Sequence, residues 1–288
     1  MTDPTGDGPE HRSGFATLAG RPNVGKSTLL NAVIGTKVTI TSPVVQTTRR
    51  QVRGVLDRPD AQVVWVDTPG VHKPRTRLGE RLNDTAGAAL EDVDVAVLVL
   101  DATMPLGKGD RFVAELVGPS GLCVVNKIDA ASRGQVLEQL QAAAGLGLDE
   151  YFPVSAKTGE GVEALVDAVV RRLPPGPKLY PQGIVTDTAE ATWVAELVRE
   201  QLLAVAREEV PHSIACRVTE WEGNRVRCEI LVERESQKPI VIGKGGAVLK
   251  EVGTRVRAQL PEGTYLELFV KVERDWQSRP GALDRLGF

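Results

Sequence analysis

The block GRPNVGKST, residues 20–28, directly follows the apolar run 15–19 and constrains the fold of this chain more than any other stretch. Gly20, Gly25, Lys26 and Ser27 stand in the spacing G-x-x-x-x-G-K-[ST]. Glycines let the backbone curl round an anion, so that successive N–H groups point inward and the following helix adds its partial positive charge. In such a loop Lys26 reaches the β- and γ-phosphates, the Ser27 hydroxyl ligates Mg²⁺, and Asn23, Val24 and Thr28 complete the nucleotide contacts. A glycine-rich turn at a helix start is the competing reading. The strand-like run before the block and the helical spacing of Leu29, Leu30, Val33 and Ile34 after it favour the phosphate cradle. The block alone does not name the base.

The rest of the first half fits a phosphate-binding sheet. Strands are expected at 15–19, 51–56, 62–67, 93–101, 122–125 and 152–154, several of them continuous β-branched runs that suit burial on both faces. Helical patterns lie between them at 26–34, 78–90, 110–116, 134–144 and 162–173. Short links between alternating strands and helices predict an α/β domain with a mostly parallel, open sheet. Residues 35–50 break that rhythm; they are Thr-rich and read as a mobile loop.

Three further blocks fall at predicted strand ends, where ligands of such sheets bind. NKID, residues 126–129, follows the strand 122–125. The Asp129 carboxylate can accept from N1–H and the exocyclic amine of guanine, whereas adenine would leave it desolvated and unpaired. Lys127 would lie over the base and Asn126 would tie the loop to residues 20–27. Ser155, Ala156 and Lys157 supply backbone N–H groups for the guanine O6. In DTPG, residues 67–70, Asp67 can hold Mg²⁺ through water and Gly70 can offer its N–H to the γ-phosphate. Alone DTPG would be a β-turn; between the other blocks it reads as a switch. The loop 35–50 then becomes a second switch, whose Thr47 or Thr48 would close on Mg²⁺ with GTP bound, Thr48 being favoured. Val71 stands where a water-orienting glutamine would be expected. Hydrolysis should therefore be slow, with water positioned by backbone, a second cation or a partner.

The second half differs in kind. LPPGPKLYPQG, residues 173–183, cannot continue a helix. A helix is expected from 193 to about 208, strands at 213–220 and 225–233 joined through WEGN, then a short apolar turn, a Gly-rich loop, a helix 247–260 and a closing alternating strand. In this α-β-β-α-α-β order the loop Gly243-Lys244-Gly245-Gly246 resembles the G-x-x-G clamp of a KH domain, which brings a sugar-phosphate backbone against the main chain. Its bland reading is a helix–helix turn. From residue 184 onward 15 Arg and Lys face 17 Asp and Glu, so RNA affinity would need a local patch, with Lys244 and Lys250 beside Arg234 and Lys238.

Composition excludes several classes. No apolar run is long enough to span a bilayer. The polar, Gly/Pro-rich segment 1–13 has no apolar core of a secretory signal and reads as a disordered tail. Cys123, Cys216 and Cys228 lack metal-ligand spacing and read as packed thiols.

Together, GRPNVGKSTLLN, QTTR, DTPG, NKID, SAK, VIGKGG and the closing LELFVKVERDWQ…LGF resemble the Era family, bacterial GTPases with a C-terminal KH domain. The resemblance covers residues 14–288. It implies a Ras-like GTPase domain at 14–173, a linker at 174–183 and a smaller α+β KH domain of type II at 184–288. It further implies GTP/GDP and Mg²⁺ as ligands, with Lys26, Asn23, Thr48 and Gly70 serving catalysis and Ser27, Thr48 and Asp67 the metal. Asn23 falls where related GTPases ligate a potassium ion. The implied partners are the 3′ end of 16S ribosomal RNA, held at Gly243, Lys244, Gly245, Gly246 and Lys250, and the 30S subunit. A cytoplasmic monomer with peripheral inner-membrane association is implied too. A related GTPase serving the large subunit or tRNA modification is the alternative, and a nucleotide-independent RNA scaffold a third.

Overall fold

A computed structural model describes residues 10–71, 74, 76–205 and 213–288. The chain divides into two compact units. The first comprises Met1–Thr39, Gln51–His72 and Asp84–Asp187, and the second Ile40–Arg50, Lys73–Asn83 and Thr188–Phe288. Most of the expected tail, residues 1–9, lies outside the described residues.

The first unit is built on a six-stranded sheet in the order β2-β3-β1-β4-β5-β6. Its strands are β1 (Arg12–Ala19), β2 (Val52–Asp57), β3 (Ala61–Asp67), β4 (Val95–Asp101), β5 (Leu122–Asn126) and β6 (Glu150–Pro153). All neighbours pair in parallel except β2 and β3. Only residues 58–60 join those two, too few for a crossover, so they must form a hairpin. The helices are α1 (Lys26–Ile34), α3 (Lys108–Val117), α4 (Arg133–Ala144) and α5 (Val162–Arg172). Helix α2 (Arg77–Glu91) has residues in both units.

The near-continuous apolar strands are explained by burial on both faces. On β4, Val95, Val97 and Val99 join a core with Leu29, Leu30 and Val33 of α1 and Leu165, Val166 and Val169 of α5. Leu98 and Leu100 of the same strand face a second core with Val113 and Val117 of α3 and Ala143 of α4. The period of two thus survives, but each side meets helices instead of water.

Residues 174–187 do not hang free. The buried Gln62 amide accepts from Leu179 N at 2.7 Å and Tyr180 N at 2.8 Å and donates to Tyr180 O at 3.0 Å. Val55 N donates to Val185 O at 2.9 Å, adding this stretch to the β2 edge.

In the second unit, α6 (Glu190–Val205) is followed by β7 (Ala215–Glu222), β8 (Arg225–Val232), α7 (Lys238–Ile242), α8 (Ala247–Arg257), β9 (Tyr265–Val272) and α9 (Pro280–Leu286). The end of the first helix expected here falls in residues 206–212, outside the described residues. What read as a short apolar turn is the helix α7, and α9 went unforeseen. The three-stranded sheet runs β7-β8-β9, antiparallel then parallel. Val226, Cys228, Ile230 and Val232 pack under Leu197, Val198 and Leu202 of α6 and Val252 and Val256 of α8. On the opposite side, Ala215 and Leu231 meet Leu78, Leu82, Trp276, Leu283 and Leu286.

The loop expected over 35–50 indeed has neither helix nor strand, yet Thr47, Thr48 and Arg49 are buried. Arg49 Nη1 donates to Ile214 O at 2.5 Å, and Arg199, 1% exposed, donates to Thr47 O. These buried guanidinium groups hold backbone that sequence periodicity leaves unassigned. All three cysteines are buried and free. Burial pushes the Cys123 thiol up to about 12, which makes it inert at neutral pH.

Candidate nucleotide-binding site

The blocks singled out in the first half converge at the C-terminal ends of β1, β3 and β5, with SAK just after β6. Gly25 at φ +98° and Asn23 at φ +64° turn the loop before α1. A Cβ on Gly25 would lie 2.3 Å from Asn126 Nδ2, so the residue must be glycine. That approach lets Asn126 Nδ2 donate to Val24 O at 2.9 Å, while its Oδ1 accepts from Ala156 N at 3.0 Å. One buried amide therefore locks the phosphate loop, NKID and SAK together.

Lys26 is buried, with its ammonium donating to Gly20 O and Arg21 O, each at 3.0 Å. Burial lowers its pKa to about 8 and Asp67 partly opposes the shift. A desolvated cation among inward-facing amides is a strong attractor for phosphate. Gly70 comes so near that a Cβ there would lie 2.9 Å from Pro22 N and 3.1 Å from Lys26 Nζ. DTPG therefore closes directly against the phosphate loop.

Asp67 is fully buried. Its Oδ2 accepts from Ser27 Oγ at 2.7 Å and from Thr39 Oγ1 at 3.3 Å. This set of hard oxygens fits Mg²⁺, which prefers carboxylate, hydroxyl and water. Of the two expected metal hydroxyls, Ser27 is here. Thr48, expected to close on the metal only with GTP bound, is buried and belongs to the second unit, and within the first unit a loop hydroxyl that meets Asp67 is that of Thr39.

At the base end, Asp129 is exposed and its Oδ1 accepts from Ser155 Oγ at 2.7 Å. Of the residues after Ser155, Ala156 is buried and Lys157 is exposed. Lys127, at φ +66°, donates to Asn23 O and to Asp101 Oδ2, both at 2.6 Å. Burial raises the Asp101 pKa, but hydrogen bonds from Lys127 and Thr103 outweigh it and hold the carboxyl below its usual value. Sequence reasoning missed Asp101, although it ends the clearest apolar strand. It also missed Asp110, 2% exposed, which accepts from Arg21 Nε at 2.7 Å and so anchors the phosphate loop to α3. No pattern in sequence links positions 21 and 110.

In the second unit Gly243, Gly245 and Gly246 all have positive φ, at 76°, 61° and 79°. A Cβ on Gly243 would meet Val248 N at 2.8 Å, so the turn between α7 and α8 needs glycine there. Gly245 and Gly246 have open space, and Lys244 and Lys250 are exposed. The backbone at this turn is thus open to an approaching ligand.

Comparison with known proteins agrees with this geometry. The family described as 50S ribosome-binding GTPase matches residues 15–127, and the KH domain family matches 209–277. GTPase Era of Nocardioides sp. is 46% identical, with 99% of this chain and 98% of that protein covered. The chain belongs to the Era GTPase family. GTPase Era of Mycobacterium avium is 47% identical over 97% of this chain and 99% of its own length. Among solved structures, Aquifex aeolicus Era bound to GDP and AlF4⁻ is 38% identical with a TM-score of 0.91, covering 96% of this chain and 99% of its own. An Era in complex with MgGDPNP and nucleotides 1506–1542 of 16S ribosomal RNA superposes with a TM-score of 0.92 at 38% identity and the same coverage. As an Era GTPase the protein uses GTP and GDP with Mg²⁺, and the P-loop fold with its KH domain follows the family. No helix among the described residues is long and apolar enough to cross a membrane.

Proposed function

We propose that this Era GTPase is a slow, GTP-driven switch that grips the 3′ end of 16S ribosomal RNA during assembly of the small subunit. The observation that carries the reading is the Gly243–Gly246 turn, whose Gly245 and Gly246 leave backbone open to solvent between two helices. A related Era of matching fold holds 16S nucleotides 1506–1542 together with MgGDPNP, which supports the same partner here. Guanine selection falls to Asp129 braced by Ser155, phosphate binding to Lys26 and the loop 20–27, and the metal to Ser27 and Asp67. The cytoplasm is where such a partner resides; peripheral inner-membrane contact rests on the family resemblance alone.

Replacing Lys244 and Gly245 together with Asp tests the RNA reading. Gly245 has open space and a left-handed φ that Asp tolerates, at a cost of about 1–2 kcal/mol. The variant should fold, hydrolyse GTP at the basal rate and lose binding to single-stranded RNA from the 16S 3′ end. Wild-type RNA affinity in this variant would reduce the turn to a helix connection.

A further inference from the structure

Between α1 and β2, Val38 and Thr39 are clasped by one side chain of α1. Asn31 Oδ1 accepts from Val38 N at 2.9 Å and from Thr39 N at 3.1 Å, and its Nδ2 donates to Thr39 O at 2.9 Å. The amide thus satisfies both lone pairs and one donor on two consecutive residues. Gly35 makes this possible: at φ +77° it ends α1, its N–H bonded to Asn31 O, and turns the chain back past residue 31. Val38 joins the core formed by Leu29, Leu30 and Val33. Thr39, 2% exposed, is left with its hydroxyl on Asp67 Oδ2, the oxygen that also accepts from Ser27.

We propose that Asn31 is a positioning residue of the magnesium site: by clasping 38–39 it holds the Thr39 hydroxyl against Asp67 and so fixes the carboxylate for the metal's water shell. The proposal rests on reading residues 20–27 and Asp67 as a nucleotide–magnesium site. Outer-shell hydrogen bonds of this kind orient a metal's carboxylate, and their removal costs ten- to a hundredfold in metal affinity. The chemistry at position 31 is specific. Aspartate would lack the donor for Thr39 O and repel it, and an aliphatic residue would strand three backbone groups. Thr39 is also the last residue of the first unit before Ile40–Arg50.

Release of a fluorescent GDP analogue from the full chain, followed against free Mg²⁺, tests this. Wild-type release should slow as Mg²⁺ rises through a defined midpoint. Asn31→Ala and Thr39→Val should each move the midpoint about tenfold higher, leaving release in excess EDTA unchanged. Thr39→Ser, which keeps the hydroxyl, should retain the wild-type midpoint. The double variant should shift no further than either single one, because both act on one carboxylate. Should Asn31→Ala fail to fold, Thr39→Val carries the test by itself. A wild-type midpoint in Thr39→Val, or faster release in EDTA with no midpoint shift, would overturn the positioning role and leave Asn31 a loop anchor. Binding of the analogue in EDTA tests the nucleotide site separately; its absence in wild type overturns that reading and the proposal with it.

Discussion

Gly25 and Asn126 meet so closely that the space between them excludes a single methyl group: a Cβ on Gly25 would sit 2.3 Å from Asn126 Nδ2. Gly25 lies in the loop after β1 and Asn126 ends β5, and the bond from Asn126 to Val24 O makes the two segments one rigid cradle. Preorganisation of this kind reduces what a nucleotide must order on binding.

Gly25→Ala should therefore damage the site in two ways. Alanine at φ +98° is strained, and its methyl group displaces the Asn126 amide. Isothermal titration should record GDP affinity at least about tenfold weaker, with a stability loss of about 1–3 kcal/mol by thermal melting.

Base choice should follow Asp129. Asp129→Asn leaves one uncharged acceptor oxygen for the two guanine donors, N1–H and N2, and its NH2 can donate to the xanthine O2. GTP affinity should fall by about 2–4 kcal/mol, while xanthosine triphosphate binding improves. Parallel titrations of the two nucleotides decide the matter, and unchanged GTP affinity would remove Asp129 from the site.

The buried ammonium of Lys26 makes binding and stability depend on pH in opposite senses. Its pKa is lowered to about 8 from 10.5 in the nucleotide-free protein. Between those values the unfolded chain binds the extra proton, so stability rises with pH through that window. Phosphate restores the charged form. Calorimetry at pH 8.5 in buffers of different ionisation enthalpy should thus register proton uptake on GDP binding, and affinity should weaken as pH climbs further.

Monovalent cations should set the hydrolytic rate. Asn23, held at φ +64° with its carbonyl on Lys127, belongs to the loop that would hold the phosphates, and Val71 cannot orient water. A potassium ion at Asn23 would stabilise charge between the β- and γ-phosphates as an arginine finger does. Turnover should be faster in KCl than in NaCl, and Asn23→Ala should abolish the difference.

The sequence by itself determined the parts of this protein whose chemistry is local. GRPNVGKST between a strand and a helix, DTPG and NKID at strand ends, and glycines at 243, 245 and 246 each require a particular backbone shape, and spacing of a few residues is enough to express it. Strands buried on both faces were legible for the same reason, since β4 alternates its side chains between two cores without needing polar residues. Tertiary structure alone decided which distant groups meet. It brought Thr39 to Asp67, tied Arg21 to Asp110, laid 174–187 along the first unit, and packed Thr47, Thr48 and Arg49 into the second. Those outcomes depend on satisfying buried polar groups across many residues of separation, a requirement that no short-range periodicity encodes.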